Sequence, residues 1–384
     1  MLEILITAII SFVVAFLAIP VVIQIADKKK LYDIPDERKL HSHAIASLGG
    51  IGIFLGFAFS SLLTLNIASH QEFQYFLAAS FIIFFIGLKD DLVLLSATKK
   101  FIAQIAAAAI IIHLGGIQIE SFYGLGGMEE LDSMIGIPLT YITIILIMNA
   151  FNLIDGIDGL AGSLGLIVTL LGGTYFYFSN MFDYAAFSFA MAASLLAFLI
   201  FNFNPAKIFM GDSGSLLIGT IASILVLKFI NVAGSPQAAL PIASALAIGI
   251  SAIIIPLVDT IRVFAIRIVK GRSPFSPDRN HVHHLLLDKG LGHSTVTITC
   301  VAATILLVIT TYLTRFFGNT FLVIALFGTC FITLGYLYFT LPKRKMVIHR
   351  QYLVNKAREE RLRTQSKVIN LTTKEEMQVE NMNH

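Results

Sequence analysis

The 384-residue chain is 56% hydrophobic and only 13% charged, with a mean hydropathy of +0.82. Soluble domains carry about a quarter charged residues, so a soluble fold is excluded. Cys300 and Cys330 lie in apolar runs without metal-ligand spacing, which excludes a disulfide scaffold, and a net charge of +3 gives no basic excess for a nucleic-acid partner.

In chain order, apolar runs fall near 4–26, 48–69, 73–88, 101–114, 138–151, 162–179, 185–203, 214–232, 238–258, 294–315 and 320–341. Many approach the roughly 20 residues that cross a hydrocarbon core. The fold class expected is therefore an all-α polytopic membrane protein of about 11 transmembrane helices. The first run has no basic segment before it and no small-residue cleavage site, so it reads as a retained helix. If the loops alternate sides, nearly every lysine and arginine falls on one side. Arg315 stands on the other, and Lys228 lies within a run. The positive-inside rule makes the basic side cytoplasmic, with the N-terminus outside and the C-terminus inside. Residues 1–342 read as the integral-membrane domain. The polar tail 343–384 reads as a cytoplasmic extension, a short helix followed by disorder.

The ionisable residues that interrupt these runs collect on the same side, and charged groups beside hydrocarbon usually mark ligand or ion sites. In the first inner loop, Arg38, Lys39, His41 and His43 read as orientation signals, and Gly49 and Gly50 as helix-packing residues. GLKDDLVLLSATKK ends the third run with Asp90 and Asp91, which face Lys99 and Lys100 across a short connection. Adjacent carboxylates suit a divalent cation or a proton acceptor beside a phosphate, although a solvated helix end explains them equally well. The outer segment 115–137 reads as a small hairpin on glycine turns.

NAFNLIDGIDGLAGS carries Asn149, Asn152, Asp155 and Asp158 at intervals of three, which on a helix places them along one face. FNFNPAKIFMGDSGSLLIG holds Asn204, a chain break at Pro205, and Asp212 immediately before the eighth run. There Asp212 is either a metal ligand or an ordinary cap, and the helix start favours phosphate oxygens. The longest inner loop, from Val258 to Gly290, carries Arg279, His281, His283 and His284 beside Lys270 and Arg272. With basic neighbours and no cysteine, this cluster suits an anion better than a transition metal. His70, His113, His293 and His349 stand apart and read as structural or surface residues. No P-loop occurs, and no two aspartates lie two positions apart as a D-x-D site requires.

The ordered motifs KDD, NLIDGIDGLAG, FMGDSGSLLIG and DRNHVHHLL, spread over residues 27–293, resemble the polyprenyl-phosphate N-acetylhexosamine-1-phosphate transferase family. They look most like its bacterial undecaprenyl-phosphate GlcNAc-1-phosphate branch. One departure is Ala46, where the family often has proline before Leu-Gly-Gly. The resemblance implies transfer of a HexNAc 1-phosphate from a UDP-HexNAc to undecaprenyl phosphate, with release of UMP, using Mg2+ (or Mn2+). It implies the first membrane step of a cell-envelope polysaccharide such as O-antigen, in a plasma (inner) membrane with the site facing the cytoplasm, and a homodimer is compatible with it.

Carried over by position, Asp212 and Asp155 become metal ligands. Asp90, Asp91, Asp158, His281 and His283 become catalytic, one of the Asp90–Asp91 pair serving as base. Asn149, Asn152, Asp155, Asn204, Lys99, Arg279 and His284 become substrate-binding residues. The phospho-N-acetylmuramoyl-pentapeptide branch ranks second because it carries a contiguous histidine triplet. An ion-coupled transporter is the rival from another class; it predicts polar residues at the membrane midplane, where little but Lys228 is found.

Overall fold

The computed structural model describes residues 1–31, 45–271 and 281–340. Its contacts divide the chain into a body, Met1–Tyr336, and a second unit, Leu337–His384. Arg38, Lys39, His41, His43, Arg272, Arg279 and the tail 343–384 lie outside the described residues.

Every apolar run contains helix. The body is built from α1 (Leu2–Lys29), α2 (Gly49–Thr64), α3 (Glu72–Leu92), α4 (Ala97–Ala109), α5 (Ser133–Ile154), α6 (Leu160–Phe178) and α7 (Phe182–Asn202). It continues with α8 (Gly211–Ala233), α9 (Ala245–Ala252), α10 (Ile254–Val269), α11 (Val282–Asp288), α12 (His293–Leu313) and α13 (Asn319–Phe339), of which the part up to Tyr336 belongs to the body. Among the described residues, eight helical segments are long and apolar enough to cross a membrane, or up to nine if one bent pair counts as a single span. The chain is thus an all-helical, multi-pass membrane protein.

The ninth run, read as one span over 238–258, is instead divided between α9 and α10 with a bend of 76°. Pro256 has no N–H to return to the Ala252 carbonyl, which accounts for the break. The second run is shorter than its sequence suggests, because α2 ends at Thr64 after 16 residues, about 24 Å of helix. The fourth and fifth runs are longer: α4 begins at Ala97 and continues through a π-turn to Leu114, and α5 begins at Ser133, capped by the Asp132 carboxylate on Met134 N–H at 2.7 Å.

Helix α8 is the axis. In its most apolar stretch 83% of the residues are buried, against 17% for α13, so lipid-facing and core-facing helices are clearly separated. It packs on α2, α3, α5, α6 and α9. With no hydrophobic drive between helices inside lipid, close contact depends on small residues. A Cβ on Gly87 of α3 would sit 2.5 Å from the Ser213 Cα, and one on Gly219 would sit 2.6 Å from the Met148 Cα of α5. Gly49 and Gly50 pack as expected, Gly50 against the Gly214 backbone, while their N–H groups bond to the Phe209 and Met210 carbonyls at 2.8 Å. The Ala46 carbonyl accepts from Phe209 N–H at 2.8 Å, so the backbone at the family departure is tied to the chain entering α8.

The segment between α4 and α5 forms the expected hairpin-like turn. Ser121 and Glu130 make an isolated antiparallel bridge, and Gly124 to Gly127 turn the chain with positive φ at Gly124, Gly126 and Gly127. At that end of the bundle His70 lies 3.6 Å from Glu72 and 3.3 Å from Asp183. The C-terminal ends of α3, α5 and α7 and the N-terminal ends of α4, α6 and α8 meet at the opposite end.

Candidate functional site

A cavity of about 630 Å³ opens where those ends meet. Asp90, Asp91, Asn152, Asp155, Gly156, Asp158, Asn202, Gly211, Asp212 and His284 stand on its wall. Five aspartates from three separate motifs therefore share one space.

Asp91 organises the start of α8. Its carboxylate accepts from Asp212 N–H at 2.6 Å, from Ser213 N–H at 3.1 Å and from Ser213 Oγ at 2.7 Å, so a residue of α3 caps a different helix. Among its own residues α8 has no side-chain cap, which sets aside the plain capping role for Asp212. Asp212 points instead to Lys100 Nζ, 2.6 Å from its Oδ2, and receives Asn152 Nδ2 on Oδ1 at 2.9 Å. Lys100 also reaches Asp90 Oδ2 at 2.5 Å, while the Leu95 N–H donates to Asp90 Oδ1 at 2.6 Å. Lys100, rather than Lys99, thus joins the two acidic motifs. Lys99 is exposed and is not on the cavity wall.

The helical spacing of Asn149, Asn152, Asp155 and Asp158 holds only in part, because α5 stops at Ile154 and Asp155 has φ −75 and ψ 59. Asp155 therefore sits at the helix end and Asp158 in the following turn. Asn149 pairs with Gln104 of α4 (3.0 Å) and with the Ile145 carbonyl (2.8 Å), and it is not among the residues on the cavity wall. Burial, then the negative charges of Asp212, Asp91 and Asp158, push the Asp155 carboxyl up to about 8. Asp158 behaves oppositely. Burial raises it, but bonds from His293, Asn204 Nδ2 (2.9 Å) and Ala206 N–H (3.2 Å) hold it below the usual carboxylate range. Asn204 thus binds Asp158, and Asn202, two residues earlier, reaches the wall. Asn202 ties the Gly159 N–H (2.9 Å) to the Ile208 carbonyl (2.8 Å).

His293, read from sequence as standing apart, lies 3.5 Å from Asp158 Oδ1, and Thr297 Oγ1 donates to the Asp158 carbonyl at 2.8 Å. The histidine cluster enters from α11. His284 is on the wall, and His283 packs against Gly156, where a Cβ would overlap its ring. His281 stacks parallel to His283 with centroids 5.6 Å apart. Burial, then His284, lowers His283 to about 3, so its ring is neutral. His281 and His283 are themselves buried and not among the wall residues.

The donor set suits a hard cation. Asp212, Asp155 and Asn152 offer oxygen, and the mutual repulsion that raises Asp155 is what a divalent ion removes. Among the described residues no group of three His, Cys, Asp or Glu side chains is placed to hold a metal ion. Magnesium requires none, since it keeps waters and uses one or two carboxylates with substrate phosphates.

Fold and site together define a multi-pass membrane protein with an acidic cleft at one end of its helical bundle. The model of glycosyl transferase family 4 matches residues 73–230. The undecaprenyl-phosphate alpha-N-acetylglucosaminyl 1-phosphate transferase of Yersinia pestis is 32% identical over 82% of this chain and 85% of its own length. The protein of the same name from Escherichia coli (strain K12) is 30% identical over 73% of this chain and 76% of its own. The decaprenyl-phosphate N-acetylglucosaminephosphotransferase of Mycolicibacterium smegmatis is 31% identical over 67% and 69%. The chain belongs to this family of polyprenyl-phosphate N-acetylhexosamine-1-phosphate transferases.

Proposed function

We propose that the chain transfers GlcNAc 1-phosphate from UDP-GlcNAc to undecaprenyl phosphate and releases UMP. The observation that carries this reading is the convergence of Asp90, Asp91, Asp155, Asp158 and Asp212 on one cavity at the end of an apolar bundle. A lipid phosphate reaches such a place with its tail still in the membrane. Topologically, we take eleven crossings, with the N-terminus outside and the cavity and C-terminus on the cytoplasmic side of the plasma membrane. The basic inner loops support that orientation.

In the reaction, an oxygen of the acceptor phosphate attacks the sugar-bearing phosphorus and forms the new P–O–P bond. The bond from that phosphorus to the bridging oxygen breaks, and UMP leaves with that oxygen and its electron pair. Asp212 and Asp155 would hold Mg2+ (or Mn2+), which would neutralise charge on the phosphates. Asn152 orients Asp212 through its 2.9 Å bond. Asp91, fully engaged with the start of α8, keeps Asp212 in place. That leaves Asp90, next to Lys100, as the member of the pair that faces the acceptor phosphate and its proton. His284 on the wall contacts the donor diphosphate or sugar, which makes UDP-GlcNAc binding its readout.

The test incubates purified chain with radiolabelled UDP-GlcNAc, Mg2+ and undecaprenyl phosphate. Equal amounts of UMP and a lipid-extractable labelled sugar are expected. Absence of product with every UDP-HexNAc offered would refute the assignment.

A further inference from the structure

The histidine cluster is anchored by a group outside its own motif. Asp259, on α10 and 1% exposed, faces three donors. His281 Nδ1 lies 2.8 Å from its Oδ2, and Val282 N–H (2.8 Å) and Arg262 Nη2 (3.1 Å) bond to its Oδ1. A carboxylate bonded in this way only accepts, so Nδ1 of His281 carries the proton, and the ring's tautomer and orientation are set. The same carboxylate receives the N–H of Val282, the first residue of α11. From there the cluster runs inward. His281 stacks on His283 with planes 3° apart, His283 lies against Gly156 and 4.4 Å from His284 between ring centroids, and His284 stands on the cavity wall.

We propose that Asp259 is a positioning residue. By holding His281 and the start of α11 it places His284 on the cavity wall, where His284 receives the anionic donor, and His281 belongs to this support rather than to the substrate contacts. Asp259 is an acid within the apolar stretch IIPLVDTI, and the partner of His281 explains its presence there. The inference rests on the proposed function only for the identity of the donor.

Binding of UDP-GlcNAc to the detergent-solubilised full chain, measured by calorimetry, tests it. Asp259→Asn keeps an acceptor for Val282 but removes the carboxylate from His281. Binding should weaken about tenfold, the low end of what supporting partners of a functional histidine contribute. In a His284→Ala background the same substitution should change binding by less than about twofold, since the residue it positions is gone.

His281→Asn retains a donor near the Nδ1 position and should bind within about threefold of wild type, whereas His281→Ala should match Asp259→Asn. This pair keeps the test open if Asp259→Asn does not fold. Wild-type binding by Asp259→Asn, or an undiminished loss when His284 is absent, overturns the inference. So does equal weakening by His281→Asn and His281→Ala. A chain that binds UDP-GlcNAc in this pattern but transfers no sugar refutes the transferase reading and leaves the positioning role standing.

Discussion

Asp91 and Asp212 stand side by side in the cavity but are held there for different reasons, and substitution separates them. Asp91 takes two backbone N–H groups and one hydroxyl at the start of α8, at 2.6, 3.1 and 2.7 Å. Ser213 is fully buried, so its N–H has no water to turn to. Asp91→Asn keeps one acceptor oxygen and turns an NH2 group towards a donor. At about 1–3 kcal/mol for each buried donor left unsatisfied, plus up to about 1 kcal/mol of lost charge–dipole interaction, the cost is about 2–4 kcal/mol. In a thermal melt of the detergent-solubilised protein that is a fall of roughly 3–5 °C. Asp212→Asn should lower the midpoint by a degree or two, since Lys100 retains Asp90, while sugar transfer is lost. If Asp91→Asn melts with wild type yet loses turnover, its carboxylate acts in the chemistry and its role as the cap of α8 is refuted.

Other substitutions follow from the same geometry. Gly87→Ala places a Cβ 2.5 Å from the Ser213 Cα and should part α3 from α8, at a cost of about 1–3 kcal/mol in stability and most of the turnover. Melting and activity of the variant measure both, and unchanged values would mean that the α3–α8 contact is looser than described. His283, lowered to about 3, binds fewer protons folded than unfolded between pH 6.5 and 3, so its contribution to stability is lost as pH falls through that window. Between pH 6.5 and 5 the loss approaches about 2 kcal/mol, and His283→Gln should flatten that part of the melting profile. Asp155, raised to about 8, must release a proton to bind a cation. The Mg2+ concentration that half-stabilises the protein should therefore fall as pH rises from 6.5 to 8.5, and Asp155→Asn should remove that dependence.

The helical class was legible because a membrane-spanning segment states itself through length and apolarity alone. What eluded the sequence were features set by neighbours. The bend between α9 and α10 lies inside an uninterrupted apolar run, and only the N–H missing at Pro256 marks it. In α2, the run continues beyond Thr64 although the helix does not, because hydropathy does not register where backbone bonding stops.

The site shows the same division more sharply. Motif reading found the residue types and the aspartates that share the cavity, because acids at the ends of apolar runs are conspicuous. It did not find their pairings. Lys99 and Lys100 are chemically alike and adjacent, and only the roughly 100° turn between successive helical residues decides which one meets Asp90 and Asp212. Likewise Asn149 continues the spacing of Asn152 but is taken up by Gln104 on a neighbouring helix.

His293 and Asp259 were missed for a related reason. Each lies outside a recognisable cluster and shows its role through long-range contacts, His293 to Asp158 and Asp259 to His281 and Val282. Both contacts join motif residues to helices outside those motifs, α12 in one case and α10 in the other. A cavity walled by carboxylates that repel one another needs external supports. The His293 pair supplies one at Asp158, and the Asp259 pair supplies one for the histidine cluster that brings His284 to the same wall.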